Sequence, residues 1–436
     1  MKRPATLNYK RRFSVLGTKA ENAKVFLTSG KRWEVYEQLL HCVFLPMTRG
    51  LLKLILPDGE RLDYGDGSDG VEATIRVNNY DFFKKCVLFG DVGFGEAYVD
   101  GDWETEDITK VIEWMILNVE NHPTMMADRQ RKSKVNFLKI FNTWAHLLRE
   151  NTTKGSKKNI SVHYDLGNDF YELFLDATMT YSSAYFRNSN QSLAEAQVAK
   201  YDQLCHKLRL KSTDHVLEIG SGWGGFAIHA AKNYGCTITT ITISRRQFEY
   251  ARQRIQTEGL EKKIHIQFRD YRDVKGKFDK IVSIEMIEAV GHRFLKTFFQ
   301  QCHRCLKSDG LLGIQAILSP DHRYESFRRN ADWIQKHIFP GSLLPSFAII
   351  QRRVNETGTL CLWNYEDMTS HYVRTLNLWR QNFHSRLEDV QRLGFGETFV
   401  RKWNYYLSYC EAAFKMRNIS VAQFIFTRPN NFGLIS

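Results

Sequence analysis

Val216-Leu217-Glu218-Ile219-Gly220-Ser221-Gly222-Trp223-Gly224-Gly225 is the stretch whose reading decides the fold. Polar Asp214 and His215 precede a short apolar run, Val216, Leu217 and Ile219, of the kind expected for the first strand of a parallel sheet covered on both faces. The glycines at 220, 222, 224 and 225 permit a tight turn and a close approach of backbone to a ligand, and residues 226–232 read as the helix that follows. A dinucleotide site with this spacing would place an acid roughly 20 residues further on to hold a ribose. Here residues 239–244 (TTITIS) offer only hydroxyls, and the next acid is Glu249. Glu218, immediately before the turn, instead suits a ligand bearing an ammonium group, as the methionine part of S-adenosylmethionine does. The stretch therefore reads as a methyl-donor site.

Downstream the pattern alternates between strand and helix. Strands are expected at 236–243, 264–268, 280–284 and 311–317, with helices at 246–257 (ended by Gly259) and 294–306. This alternation predicts an α/β fold, a doubly wound Rossmann-like methyltransferase domain whose ligands sit at the carboxyl ends of the strands. Glu218, Thr242, Asp270-Tyr271-Arg272, Glu285, Glu288 and Gln315 fall at those ends. Upstream, Ser192-Leu193-Ala194-Glu195 is a capping box that opens a helix before the glycine-loop strand. Residues 163–171 and 179–186 are aromatic and polar without regular periodicity, as pocket lining would be.

The rest of the chain divides by charge. Residues 1–32 carry a net +8, 33–128 a net −12, 129–158 a net +8 and 159–436 a net +9, which together make the overall +13. Two cationic blocks flanking an acidic region suit an anionic surface, and a solvated surface with flexible ends is an equal alternative for the first block. Four regions are expected: a basic amino-terminal segment (1–32), a smaller mixed α/β amino-terminal domain (33–128), a basic amphipathic helix and linker (129–158), and the catalytic domain (159–436). In the third, Leu138, Phe141, Trp144, Ala145 and Leu148 recur at helical spacing beside Lys132, Lys134 and Lys139, a face for a membrane surface or for packing on the next domain. Asp63, Asp66 and Asp69 resemble a calcium loop, but no Glu closes it, and a solvated turn is expected. The eight cysteines are scattered, and Cys302 and Cys305 lack a second pair to complete a zinc site, so no metal is expected. No apolar run is long enough to span a bilayer and the basic start has no signal-like core, which predicts a cytoplasmic protein. No recognition-helix or aromatic RNA-binding pattern accompanies the positive charge, so nucleic acid is not expected as a partner.

Several motifs together resemble the cyclopropane-fatty-acyl-phospholipid synthase family. They are HYDLGNDFYELFLDATMTYSSAYF (163–186), VLEIGSGWGG (216–225), TISRRQ (242–247), RDYRD (269–273), Ile287-Glu288-Ala289-Val290-Gly291, Ile338-Phe339-Pro340-Gly341 and Leu344-Pro345-Ser346; GEAYVDGDW (95–103) resembles a segment of the smaller domain of its full-length members. The resemblance implies an enzyme that transfers a methyl group from S-adenosylmethionine to the cis double bond of a phospholipid acyl chain and removes a proton so that a ring closes. It implies cofactor contacts at Tyr181, Ser182, Leu217, Glu218, Gly220, Gly222, Gly224, Thr242, Ser244, Gln247, Tyr271 and Arg272. It also implies a bicarbonate ion acting as the base, held at Ser183, Glu288, Gln315, Ile317 and Tyr372, with Glu288 holding or assisting it. The chain departs from the family pattern where Ser183 and Gln315 stand in place of Cys and His, and Ala289 in place of another His. Expected partners are the unsaturated acyl chain, an anionic phospholipid surface reached peripherally from the inner face of a membrane, and a second copy of the chain. A methyl-branched or methylene product, a small-molecule acceptor, and a non-enzymatic binder of anionic surfaces are the alternatives.

Overall fold

The computed structural model describes residues 32–118 and 166–434. The basic segment before residue 32, the amphipathic helix expected around Trp144 and the boundary between the expected domains therefore lie outside the described residues.

The first described part begins with helix α1 (Arg32–Phe44). Strands β1 (Leu51–Ile55), β2 (Arg61–Gly65), β3 (Glu72–Val77) and β4 (Trp103–Glu104) form one sheet in the order β2-β1-β3-β4. Alternation in β3 buries Ala73, Ile75 and Val77 on one face. That face is covered by α2 (Asp81–Val99) and α3 (Ile108–Leu117), whose Phe82, Phe83, Val111 and Trp114 are buried. The aspartate-rich stretch after β2 is an exposed turn in which Arg49 pairs with Asp69 at 2.9 Å.

The second sheet has seven strands. In chain order these are β5 (His215–Ile219), β6 (Thr237–Thr242), β7 (Ile264–Phe268), β8 (Phe278–Ile284), β9 (Leu306–Leu318), β10 (Cys361–Asp367) and β11 (Ser420–Thr427), arranged β10-β11-β9-β8-β5-β6-β7. The helices before and among them are α4 (Asn168–Glu172), α5 (Leu193–Lys207), α6 (Gly225–Tyr234), α7 (Arg245–Thr257) and α8 (Leu295–Cys305). Then come α9 (Tyr324–Arg329), α10 (Trp333–His337), α11 (Phe347–Asn355), α12 (Thr369–Ser385), α13 (Leu387–Arg392) and α14 (Glu397–Lys415). Strands β5 to β9 pair in parallel, and β11 pairs antiparallel with both β9 and β10. The strand order reverses at β5, between β8 and β6, and this is the switch point at which an open α/β sheet leaves a crevice.

Local chemistry accounts for these elements. Ser192 caps α5 with the expected reciprocal bond from Glu195, and Gly259 adopts φ +65 after α7. Strand β9 is longer than the periodicity predicts. Leu306 already pairs with Phe278, and pairing resumes at Leu311 opposite Lys280 across an irregularity beside Gly310, so the glycine sits inside the strand rather than before it. The smaller sheet is tied to the larger one through α14, because one hydrophobic cluster includes Trp103 and Trp114 together with Trp403 and Tyr405. Arg401 donates to the carbonyls of Tyr98 (2.8 Å) and Trp103 (3.1 Å), Lys336 and His337 meet Glu96 (2.6 and 2.9 Å), and Lys415 meets Glu113 (2.7 Å). Among the described residues no helix is long and apolar enough to cross a membrane.

Candidate active site

The crevice opens where β5 ends. Gly220 and Gly222 take φ of +98 and +49, which L side chains seldom adopt, and a Cβ on Gly222 would meet nothing within 4 Å. A cleft of about 320 Å³ lies there. Its polar end is lined by Tyr181, Ser182, Glu218, Gly220, Gly222, Thr242, Gln247, Asp270, Tyr271 and Arg272. The Glu218 side chain is buried and accepts from the Thr240 hydroxyl; burial pushes its carboxyl up to about 8. Thr242 donates to the Gln247 side chain (3.1 Å) and orients it, while Asp270 holds Arg272 through Nε and a terminal nitrogen at 2.8 and 2.7 Å. Open space over a glycine turn and a buried carboxylate beside it fit an ammonium-bearing methyl donor.

The other end is apolar and aromatic, with Ile334, Phe339, Leu344, Leu376, Tyr406, Phe414 and Ile419 on its walls. The rings interlock: Tyr181 and Tyr406 share a hydrogen bond of 2.7 Å between hydroxyls, and Tyr372 and Phe414 lie with centroids 4.4 Å apart. Helices α10 and α14, which carry several of these residues, are the ones braced by α2 and β4 through Glu96, Tyr98 and Trp103.

Between the two ends lies a cluster of acids. Glu285, just past β8, accepts from the Ser183 N–H (2.9 Å), from Gln315 Nε2 (2.7 Å) and from the Tyr372 hydroxyl (2.8 Å). Its φ is +46, in the left-handed region. Glu288 accepts from the Ile317 N–H at 2.6 Å, and its other oxygen is buried without a hydrogen-bond partner. Burial, with Glu285 nearby, pushes the Glu288 carboxyl up to about 8. Gln315 is fixed from behind by Gln423 (3.1 Å), and Gln423 in turn accepts from Lys207 (2.8 Å). Lys200, fully buried on α5, donates to the Ser182 hydroxyl at 2.7 Å, and burial pushes it down to about 7.

Twelve of the residues expected from the sequence thus line one cleft: Tyr181, Ser182, Glu218, Gly220, Gly222, Thr242, Gln247, Tyr271, Arg272, Glu288, Ile317 and Tyr372. Five sit behind it. Leu217 points into the core, as the strand period requires of a residue next to Glu218. A Cβ on Gly224 would lie 3.3 Å from Ala251, so that glycine serves helix packing. Ser244 caps α7 by accepting from the Gln247 N–H at 3.4 Å. Ser183 and Gln315 reach the cleft only through Glu285. Sequence reasoning noted Glu285 only as a strand-end residue and passed over Lys200. The first carries the same signal as Glu288, an acid after an apolar strand, whereas a lysine within a helix carries no signal of burial at all.

The seven-stranded sheet, its switch-point cleft and the glycine turn define a Rossmann-like S-adenosylmethionine-dependent methyltransferase. Residues 129–424 match the mycolic acid cyclopropane synthetase family, and the chain belongs to that family. It is 37% identical to tuberculostearic acid methyltransferase UfaA1 of Mycobacterium tuberculosis strain H37Rv, over 84% of this chain and 87% of the relative. It is 35% identical to the cyclopropane-fatty-acyl-phospholipid synthase of Escherichia coli strain K12, over 83% of this chain and 90% of the relative. Among solved structures, mycolic acid cyclopropane synthase CmaA1 complexed with SAH and CTAB superposes with a TM-score of 0.58 at 29% identity, covering 62% of this chain and 98% of that one.

Proposed function

We propose that this chain transfers a methyl group from S-adenosylmethionine to the double bond of an unsaturated acyl chain carried by a phospholipid, and that loss of a proton then closes a cyclopropane ring. The observation that carries the reading is the junction of two unlike surfaces in one cleft: a polar, glycine-lined end beside Glu218 and an apolar, aromatic end, with two buried acids between them. The cofactor supplies an electrophilic methyl group. The residues of this chain hold it, keep water from the acyl chain and stabilise positive charge as it develops on carbon. Tyr181, Tyr372 and Phe414 line the cleft with rings that can face that charge, and its apolar walls strengthen the interaction. The identities of 35% and 37% with acyl-modifying relatives support the substrate class.

A methyl or methylene branch is the second reading, favoured by the greater of those two identities, which is with a tuberculostearic acid methyltransferase. Both readings are tested by expressing the chain in a host without its own acyl-modifying enzyme and analysing the phospholipid fatty acids by mass spectrometry and proton NMR. Ring protons are expected; branch signals alone would select the second reading, and unchanged acyl chains would direct the search to small-molecule acceptors. An anionic phospholipid surface as partner rests on the basic block at 129–158. Binding to vesicles is accordingly expected to require anionic headgroups and to weaken with salt; equal binding to neutral vesicles would remove the electrostatic part.

A further inference from the structure

We infer that Glu285 is the proton acceptor of this enzyme and that its carboxylate takes the place in which the family resemblance leads one to expect a bicarbonate ion. The inference rests on the acyl-modifying reading above.

The donors expected to hold the anion, on Ser183, Gln315, Ile317 and Tyr372, are already bonded within the protein. The Ser183 N–H and Gln315 Nε2 donate to one oxygen of Glu285, and the Tyr372 hydroxyl donates to the other. The Ser183 hydroxyl donates to the Ala184 carbonyl at 3.0 Å, and the Ile317 N–H is taken by Glu288. A second anion at this spot would find these donors occupied and would face a carboxylate in place of a counter-charge. The residues present therefore do not fit bicarbonate. They fit one carboxylate, and Glu285 supplies it from a backbone conformation that non-glycine residues seldom adopt.

The two neighbouring acids are not equivalent. Burial pushes the Glu285 carboxyl up, and its three donors together with nearby Lys200 act against that and favour the ionised form. Glu288 accepts from a single backbone N–H, that of Ile317, and has a buried oxygen without a hydrogen-bond partner, and with its carboxyl pushed up to about 8 it carries a proton at neutral pH. Of the pair, Glu285 is the one able to accept. The step balances as follows. The π pair of the alkene forms the bond to the transferred methyl, leaving positive charge on the other alkene carbon. A C–H bond of that methyl breaks, its proton passes to an oxygen of Glu285, and its electron pair makes the bond that closes the ring. Glu285 becomes a neutral acid and returns its proton to water after the product leaves.

The test uses Glu285→Gln and Glu285→Gly; the second removes the carboxylate and also suits the positive φ. Calorimetric titration of S-adenosylhomocysteine establishes that each variant is folded and retains its cofactor site. Sodium bicarbonate is then titrated into each complex, and product is measured in buffer purged of carbon dioxide. The wild type is expected to show no bicarbonate binding and to keep its rate in purged buffer. Glu285→Gln is expected to lose about 100-fold in product formation, with no rescue by bicarbonate. Glu285→Gly is expected to bind bicarbonate and to regain product when it is added. Full activity of Glu285→Gln, or bicarbonate binding to the wild type with loss of rate in purged buffer, overturns this inference alone. A wild type that modifies no acyl chain overturns the proposed function and the inference together.

Discussion

On one side of the cleft the surface offered to a ligand is largely backbone, a turn of glycines between β5 and α6 with positive φ at Gly220, Gly222 and Gly224. On the other side it is the Glu285 carboxylate and the Tyr372 ring, set by groups from distant segments: the Ser183 N–H and the Gln315 side chain, both behind the wall, and the Tyr372 hydroxyl all donate to that carboxylate. The first wall works by leaving space, so it tolerates no added atoms. The second works by filling space with matched donors and acceptors, so it tolerates no missing ones. The same contrast appears in their support: the glycine turn is held by backbone, the Gly220 and Ser221 N–H groups donating to the Ile241 carbonyl of β6, whereas the carboxylate cluster is held from behind by the side chains of Gln423 and Lys207.

The contrast is broken most directly at Gly222. A valine there would project into the open space of the cleft, and its backbone would cost about 1–2 kcal/mol in the left-handed region. Gly222→Val is expected to weaken cofactor binding by at least about 100-fold, a loss of about 2.7 kcal/mol, while the far-ultraviolet circular dichroism stays that of the wild type. Unchanged affinity would mean that the cofactor does not lie on this turn. On the opposite wall, Tyr372→Phe deletes a single donor to Glu285 and leaves the ring in place. A hydrogen bond to a charged group contributes about 1.5–3 kcal/mol, so product formation should fall by roughly tenfold or somewhat more while cofactor affinity is unaltered. A fall in affinity equal to the fall in rate would show that the two walls are not separable.

The smallest effect sharpens the comparison by titration. Glu218, pushed up to about 8 by burial, is mostly protonated at pH 7 in the free protein. Pairing with the ammonium group of a methyl donor favours its ionised form, so binding should expel up to one proton near pH 7 and affinity should rise with pH until about 8. Calorimetry of S-adenosylhomocysteine binding in buffers of different ionisation enthalpy measures this. Apparent heats that do not vary with the buffer would remove Glu218 from contact with the ammonium group.

How much of this was legible beforehand differs between the walls for a physical reason. The strand, the turn, the capping residue Ser192 and the hydroxyl-rich β6 are local, each set by a few adjacent residues whose conformational preferences agree. The strands after residue 318 were not legible, because β11 owes its place to antiparallel pairing with the distant β9, where Ser420 lies opposite Leu318, and β10 owes its place to β11, rather than either to a period of its own. Ser183, Gln315 and Tyr372 could be named from motif resemblance alone, without the partner that unites them. Lys200 was invisible because its burial depends on what packs against α5, not on its neighbours in the chain.

By itself, then, the sequence determined the parallel α/β core, the glycine turn at its switch point and Glu218 beside it, since backbone freedom and strand periodicity are properties of contiguous residues. Only the tertiary structure decided which acid the buried donors serve. Glu285 and Glu288 are three residues apart and alike in sequence terms, yet one meets three donors from remote segments and the other a single backbone N–H. In a buried site the number of donors sets which carboxylate keeps its charge, and that number exists only after the chain has brought residues 183, 315 and 372 together.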